Sequence, residues 1–194
     1  MFQIPKKYFL VACLILMISS FIKQINDDLD TEEKFLDIWN NSSTYLLYAS
    51  ELSQIDDKLY LGNWRDASNI TLINYHNITQ VITLMNFDHN STVLRGYTRF
   101  NIVHKFYSIG DNINEDIRTI LDLTYTDITQ HAGKTLIHCF AGISRSAICA
   151  VHYVYKMYQI CIVDAYSFVK NKRNIIHPNK RFMDTLKNVS LNLQ

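Results

Sequence analysis

Residues 134–139, KTLIHC, form an apolar run that follows Gly133 and is separated by only five residues from the stretch RSAICAVHYVYKMYQ at 145–159. A buried strand joined to a helix through a short glycine-bearing loop is the unit of a parallel sheet, because parallel neighbours need a helical crossover. The chain keeps that rhythm from residue 53 onward. KLYLG (58–62), TQVITLM (79–85) and HKFYSI (104–109) read as strands, rich in β-branched, aromatic and other apolar residues. Segments 66–76, 114–132, 163–173 and 179–193 read as helices. Asp66 or Ser68 caps the first of them, and Gly133 closes the second. The pattern predicts an α/β fold with a central, mostly parallel sheet flanked by helices.

The chain has 194 residues, 48% hydrophobic and 19% charged, enough apolar material for one core plus an extension. A net charge of +1 lacks the basic excess of a nucleic-acid binder, so no nucleic-acid partner is expected. Cysteines stand at 13, 139, 149 and 161 with no CxxC pair, which argues against a structural zinc site. Four cysteines in this length also argue against a disulfide framework. Cys149 and Cys161 read as core packing, with a protective disulfide to Cys139 as the alternative.

Lys6 and Lys7 precede YFLVACLILMISSFI (8–22), and Lys23 follows it. As a helix this run reaches about 22 Å, short of the ~30 Å hydrocarbon layer. Its layout fits a signal peptide or signal anchor over 1–23; a hydrophobic helix that packs on protein or touches lipid is the alternative. The expectation is therefore a secretory or membrane-associated protein, with membrane contact through 8–22, and otherwise a cytoplasmic one. Six Asn-x-Ser/Thr sequons, at Asn40, Asn41, Asn69, Asn77, Asn90 and Asn188, lean toward the secretory route. Residues 24–52 read as an acidic linker in which Asp30 and Glu33 form a capping box opening a short helix. The third unit is 53–190.

Cys139 thus ends a buried strand and Arg145 opens the next helix, the place where open α/β sheets bind ligands. Residues Phe140 to Arg145 are able to wrap a concave loop with N–H groups pointing inward, which with the helix amino terminus makes an anion site. The same field and the nearby arginine favour thiolate over thiol. The guanidinium of Arg145 is a planar fork that grips two phosphate oxygens together. Such a loop gathers a tetrahedral anion and holds a nucleophile beneath it.

His138-Cys139-x-x-Gly142-x-x-Arg145-Ser146 resembles the signature of the cysteine-based protein tyrosine phosphatases, and AGISRSA (141–147) resembles the small, atypical dual-specificity type. LYLGNWRDASN (59–69), ITQVITL (78–84) and RNIIHPNKRFMDTL (173–186) resemble further segments of that family in the same order, so the likeness spans about 53–190. The resemblance implies a protein tyrosine phosphatase-like fold, preceded here by an amino-terminal hydrophobic helix. It implies hydrolysis of phosphotyrosine and phosphoserine/phosphothreonine through a phosphocysteine, with no metal or organic cofactor. Carried onto this sequence, Cys139 is the nucleophile, Phe140, Ala141, Gly142, Ile143, Ser144 and Arg145 bind the phosphoryl group, and Ser146 hydrogen-bonds the sulfur. His138 orients the loop or is a plain buried histidine.

The general acid maps by the same resemblance onto Asp111 in SIGDN (108–112). The interval from Asp111 to Cys139 is about one helical turn shorter than in the family, which leaves Glu115 and Asp116 as reserve candidates. A helix cap is the alternative role for Asp111. Members of the resembled family that favour inositol phospholipids tend to carry basic residues at the loop's variable positions; 140, 141, 143 and 144 hold no lysine here, so the resemblance implies a phosphoprotein substrate. The alternatives are the same catalysis on an RNA 5′-phosphate or a phosphoinositide, and a phosphate-binding module without turnover.

Overall fold

The structure, a computed structural model, describes residues 52–191. One sheet runs in the order β1-β2-β5-β3-β4, built from β1 (Ser53–Gln54), β2 (Leu59–Gly62), β3 (Ile78–Met85), β4 (Val103–Ser108) and β5 (Lys134–His138). β2, β5, β3 and β4 are parallel; β1 is antiparallel to β2 at the edge. The helices are α1 (Trp64–Ser68), α2 (Ile70–Tyr75), α3 (Ser91–Arg99), α4 (Arg118–Gln130), α5 (Arg145–Tyr158), α6 (Ile162–Lys172) and α7 (Lys180–Leu191).

The two-residue period of the strands sorts their side chains into two cores. Leu59, Leu61, Ile82, Leu84 and Ile137 face one way, onto Leu121 and Ile128 of α4, Ile148 and Val151 of α5, Val169 of α6 and Phe182 of α7. Tyr60, Val81 and Leu136 face the other way, onto Ala67, Ile73 and Tyr97. β3 and β5 lie between both layers, which is why they read as continuous apolar runs. Helix α5 is buried from Arg145 to Val154, and its amino end is where the Cys139 loop enters the core.

Several local readings are corrected. Segment 66–76 is two helices, not one, and its cap is Asn63. The Asn63 side chain accepts from the amides of Arg65 and Asp66, while Asp66 Oδ2 accepts from Asn63 N, a reciprocal capping box. Asn69 then ends α1 and caps α2. Helix α3 was not anticipated, because only Val93, Leu94 and Tyr97 of its nine residues reach the core. The helix read at 114–132 begins at 118. Asn69 and Asn90 are both helix caps, so two of the sequons have a local structural reason. Cys149 is buried as expected, but Cys161 is exposed and caps α6 through its sulfur, which accepts from Asp164 N at 3.4 Å. The segments 1–23 and 24–51 lie outside the described residues; among those described, no helix is long and apolar enough to cross a membrane.

Candidate active site

Strand β5 delivers Cys139 to the floor of a tight loop, and four loop carbonyls are tied outward. Phe140 O accepts from Trp64 N at 3.1 Å, and Ile143 O from His177 N at 2.9 Å. Gly142 O accepts from Arg173 Nε at 2.9 Å, and Ala141 O from Arg173 Nη2 at 3.4 Å. In a trans peptide the N–H opposes the C=O, so outward carbonyls turn the amides of 141–144 toward the loop's interior. Gly142 N shows the result, donating to Cys139 Sγ at 3.3 Å. Gly142 itself sits at φ +70, and a Cβ there would meet Gly62 O at 2.5 Å, so both conformation and space require glycine.

Cys139 is 1% exposed, and its sulfur takes a second donor, Ser146 Oγ, at 3.2 Å. Arg145 begins α5 and is nearly fully buried, with Nη1 donating to Ile109 O at 3.2 Å and Nε 3.8 Å from Asp111 Oδ2. Asp111 is buried against the same loop. Its Oδ1 accepts from Ser144 Oγ and from Asn179 Nδ2, each at 2.7 Å. Asn179 N in turn donates to Ser144 Oγ at 3.0 Å. One carboxylate is thus fixed by the loop, by the arginine and by the segment before α7.

Of the three acidic candidates, the structure brings only Asp111 to the cysteine loop. Glu115 turns back to accept from Gly110 N, and Asp116 accepts from Arg118 N at the start of α4. Asp111 caps no helix here; α4 opens on Ile117 without a side-chain cap. Only residues 131–133 separate α4 from β5.

His138 is fully buried, its Nδ1 3.1 Å from Cys139 O and its Nε2 2.8 Å from Thr83 Oγ1. Burial, the neighbouring His89 and the Arg145 charge hold it well below the ordinary histidine range, so it is neutral. His89, also buried and next to His104, is lowered to about 4. Sequence reasoning had assigned no role to Arg173, Asn179, Thr83, His89 or His104. Arg173 and Asn179 lie in a segment noted for its resemblance alone; the other three carry no sequence signal, since only the sheet register gathers them.

Residues 59–190 match the family model described as the dual specificity phosphatase catalytic domain. Dual specificity protein phosphatase 1B of Arabidopsis thaliana is 28% identical over 169 residues, covering 84% of this chain and 98% of the relative. Dual specificity protein phosphatase 14 of Mus musculus is 33% identical over 136 residues, 68% of this chain and 65% of the relative. Among solved structures, the human tyrosine phosphatase-like serine/threonine/tyrosine-interacting protein superposes with a TM-score of 0.64 at 25% identity, covering 74% of this chain and 98% of that one. The Yvh1 phosphatase domain from Chaetomium thermophilum gives 0.64 at 26%, with the same coverage. The family match and the loop geometry agree: the chain belongs to the dual specificity phosphatase family of the protein tyrosine phosphatase superfamily.

Proposed function

We propose that this chain is a protein phosphatase that hydrolyses phosphotyrosine and phosphoserine/phosphothreonine through a phosphocysteine on Cys139. The observation that carries the reading is the convergence on one loop of a sulfur, an inward-turned set of amides, a buried arginine and a fixed carboxylate.

In the first step the Cys139 thiolate attacks phosphorus in line; the S–P bond forms as the P–O bond to the leaving group breaks. Asp111 gives its proton to the departing oxygen. Its Oδ1 already takes two donors, so the proton that moves sits on Oδ2, the oxygen facing Arg145. In the second step water attacks the phosphocysteine, Asp111 now takes the proton, and the thiolate leaves. The Ser146 hydroxyl, already on the sulfur, stabilises that leaving group. Arg145 and the amides of 140–145 hold the equatorial oxygens through both steps.

Phe140, Ala141 and Ile143 at the loop's variable positions are half-buried and carry no charge. They suit a phosphorylated side chain on a protein better than an inositol ring studded with phosphates or an RNA 5′ end. Incubation of Cys139→Ser with cell extract, followed by identification of what co-purifies, tests the substrate class. Capture of phosphoproteins that wild type dephosphorylates supports the reading; capture of RNA or phosphoinositide instead moves the same catalysis to a non-protein substrate.

A further inference from the structure

The carbonyl of Cys139 terminates a one-way chain of hydrogen bonds that begins near the surface. A carbonyl only accepts, so His138 Nδ1, 3.1 Å from Cys139 O, carries the ring's proton and Nε2 is bare. Facing that bare nitrogen at 2.8 Å is Thr83 Oγ1, which therefore donates, while the His89 ring packs beside it with Nε2 at 3.1 Å. The Thr83 hydroxyl has one proton and gives it to His138, so at its contact with His104 Nε2, at 2.9 Å, it accepts. His104 Nε2–H also faces Asp88 Oδ1 at 3.5 Å, and a carboxylate accepts only. Each link from His104 through Thr83 and His138 to the nucleophile's carbonyl has one permitted polarity.

Three strands bring the chain together. Thr83 of β3 lies opposite His138 of β5, and His104 stands on the neighbouring β4. Tyr97 of α3 closes the cluster, with its ring 5.7 Å from His89 and 5.3 Å from His104. Ser68 Oγ of α1 approaches His89 Nδ1 at 3.5 Å, and Arg145 of α5 opposes protonation of His138 from the loop side. Burial keeps His138 neutral, which its bare Nε2 requires, and it also lowers His89 and His104.

We propose that Thr83, His104 and Asp88 are positioning residues for Cys139: they fix His138 as its Nδ1–H tautomer and so pin the peptide on which the loop turns. Without the Thr83 donor, the His138 proton is free to move to Nε2. The Nδ1 lone pair would then face the Cys139 carbonyl, and the loop's first peptide would lose its anchor. The kinetic half of the proposal rests on the reading of Cys139 as nucleophile; the tautomer half does not.

The test is nitrogen-15 NMR of the full-length chain with ring-labelled histidine, alongside phosphate release from an aryl phosphate. Wild type is expected to show His138 with a protonated Nδ1 and a bare Nε2. Thr83→Val should abolish that single-tautomer signature and lower kcat by about three- to tenfold with little change in KM. Thr83→Ser should restore both. His104→Phe should act as Thr83→Val does, and His104→Gln, which keeps a donor, should fall between; this pair carries the test if Thr83→Val does not fold. A protonated Nε2 on His138 in wild type, or an unchanged tautomer in Thr83→Val, overturns the proposal. If wild type releases no phosphate, the phosphatase reading fails, and the tautomer pattern still decides the hydrogen-bond chain by itself.

Discussion

Asn179 Nδ2 donates to Asp111 Oδ1 at 2.7 Å, on the oxygen that also takes the Ser144 hydroxyl. The segment before α7 thereby sets where the proposed acid points. Asn179→Ala should lower turnover about tenfold, and more steeply for an alkyl phosphate than for an aryl phosphate whose leaving group needs little help from an acid. Steady-state kinetics on the two substrates checks it. Equal losses on both would assign Asn179 to structure alone.

Gly142→Ala should be severe. Its φ of +70 disfavours a side chain, and the new Cβ would press on Gly62 O at 2.5 Å, a backbone atom that cannot swing aside. The strained backbone costs about 1–3 kcal/mol before any contact is counted. A lowered melting temperature with activity lost below that temperature is the expected outcome. A fully active, undiminished protein would show that the loop does not adopt this shape.

The thiols should separate by environment. Burial pushes the Cys149 thiol up to about 12, so at pH 8 almost none of it is thiolate. Cys161 is exposed at the start of α6. Brief iodoacetamide treatment of the native protein, read by peptide mass spectrometry, should label Cys161 and leave Cys149 unmodified until the chain is unfolded. Labelling of Cys149 in the native state would contradict its burial.

Stability should fall on acidification. His89 and His152 are both lowered from 6.5 to about 4, each chiefly by burial, with the Lys156 charge also lowering His152. The unfolded chain therefore binds more protons than the folded one between those values. The stabilisation is complete above about pH 6.5 and is lost progressively as pH drops toward 4. Melting temperature against pH should slope steeply in that window, and His152→Gln should flatten the slope. A flat profile in wild type would contradict neutral buried rings.

Strand β5, the loop and helix α5 were legible from sequence because their signals are local: an apolar run, a glycine and then a long amphipathic stretch. Asp111 was pointed to by resemblance alone, and the fold sets its carboxylate against Ser144 of the loop. What escaped was set by tertiary packing. Helix α3 carries only three core-facing side chains, Val93, Leu94 and Tyr97, among polar ones, and the break at Asn69 follows from caps that compete with a continuous helix. The network of Thr83, His89, His104 and His138 is invisible in one dimension, because its members are 6 to 55 positions apart and meet only across neighbouring strands. Arg173 likewise stands far along the chain from the loop carbonyls it restrains.

The most direct test of the central claim is acid quenching of full-length protein during turnover of an aryl phosphate, with the peptide bearing Cys139 weighed by mass spectrometry. A phosphocysteine mechanism predicts one added phosphoryl group on Cys139, none in Cys139→Ser, and slower turnover in Asp111→Asn. Turnover by Cys139→Ser at the wild-type rate, or a phosphoryl group carried elsewhere while Cys139 stays bare, would contradict it.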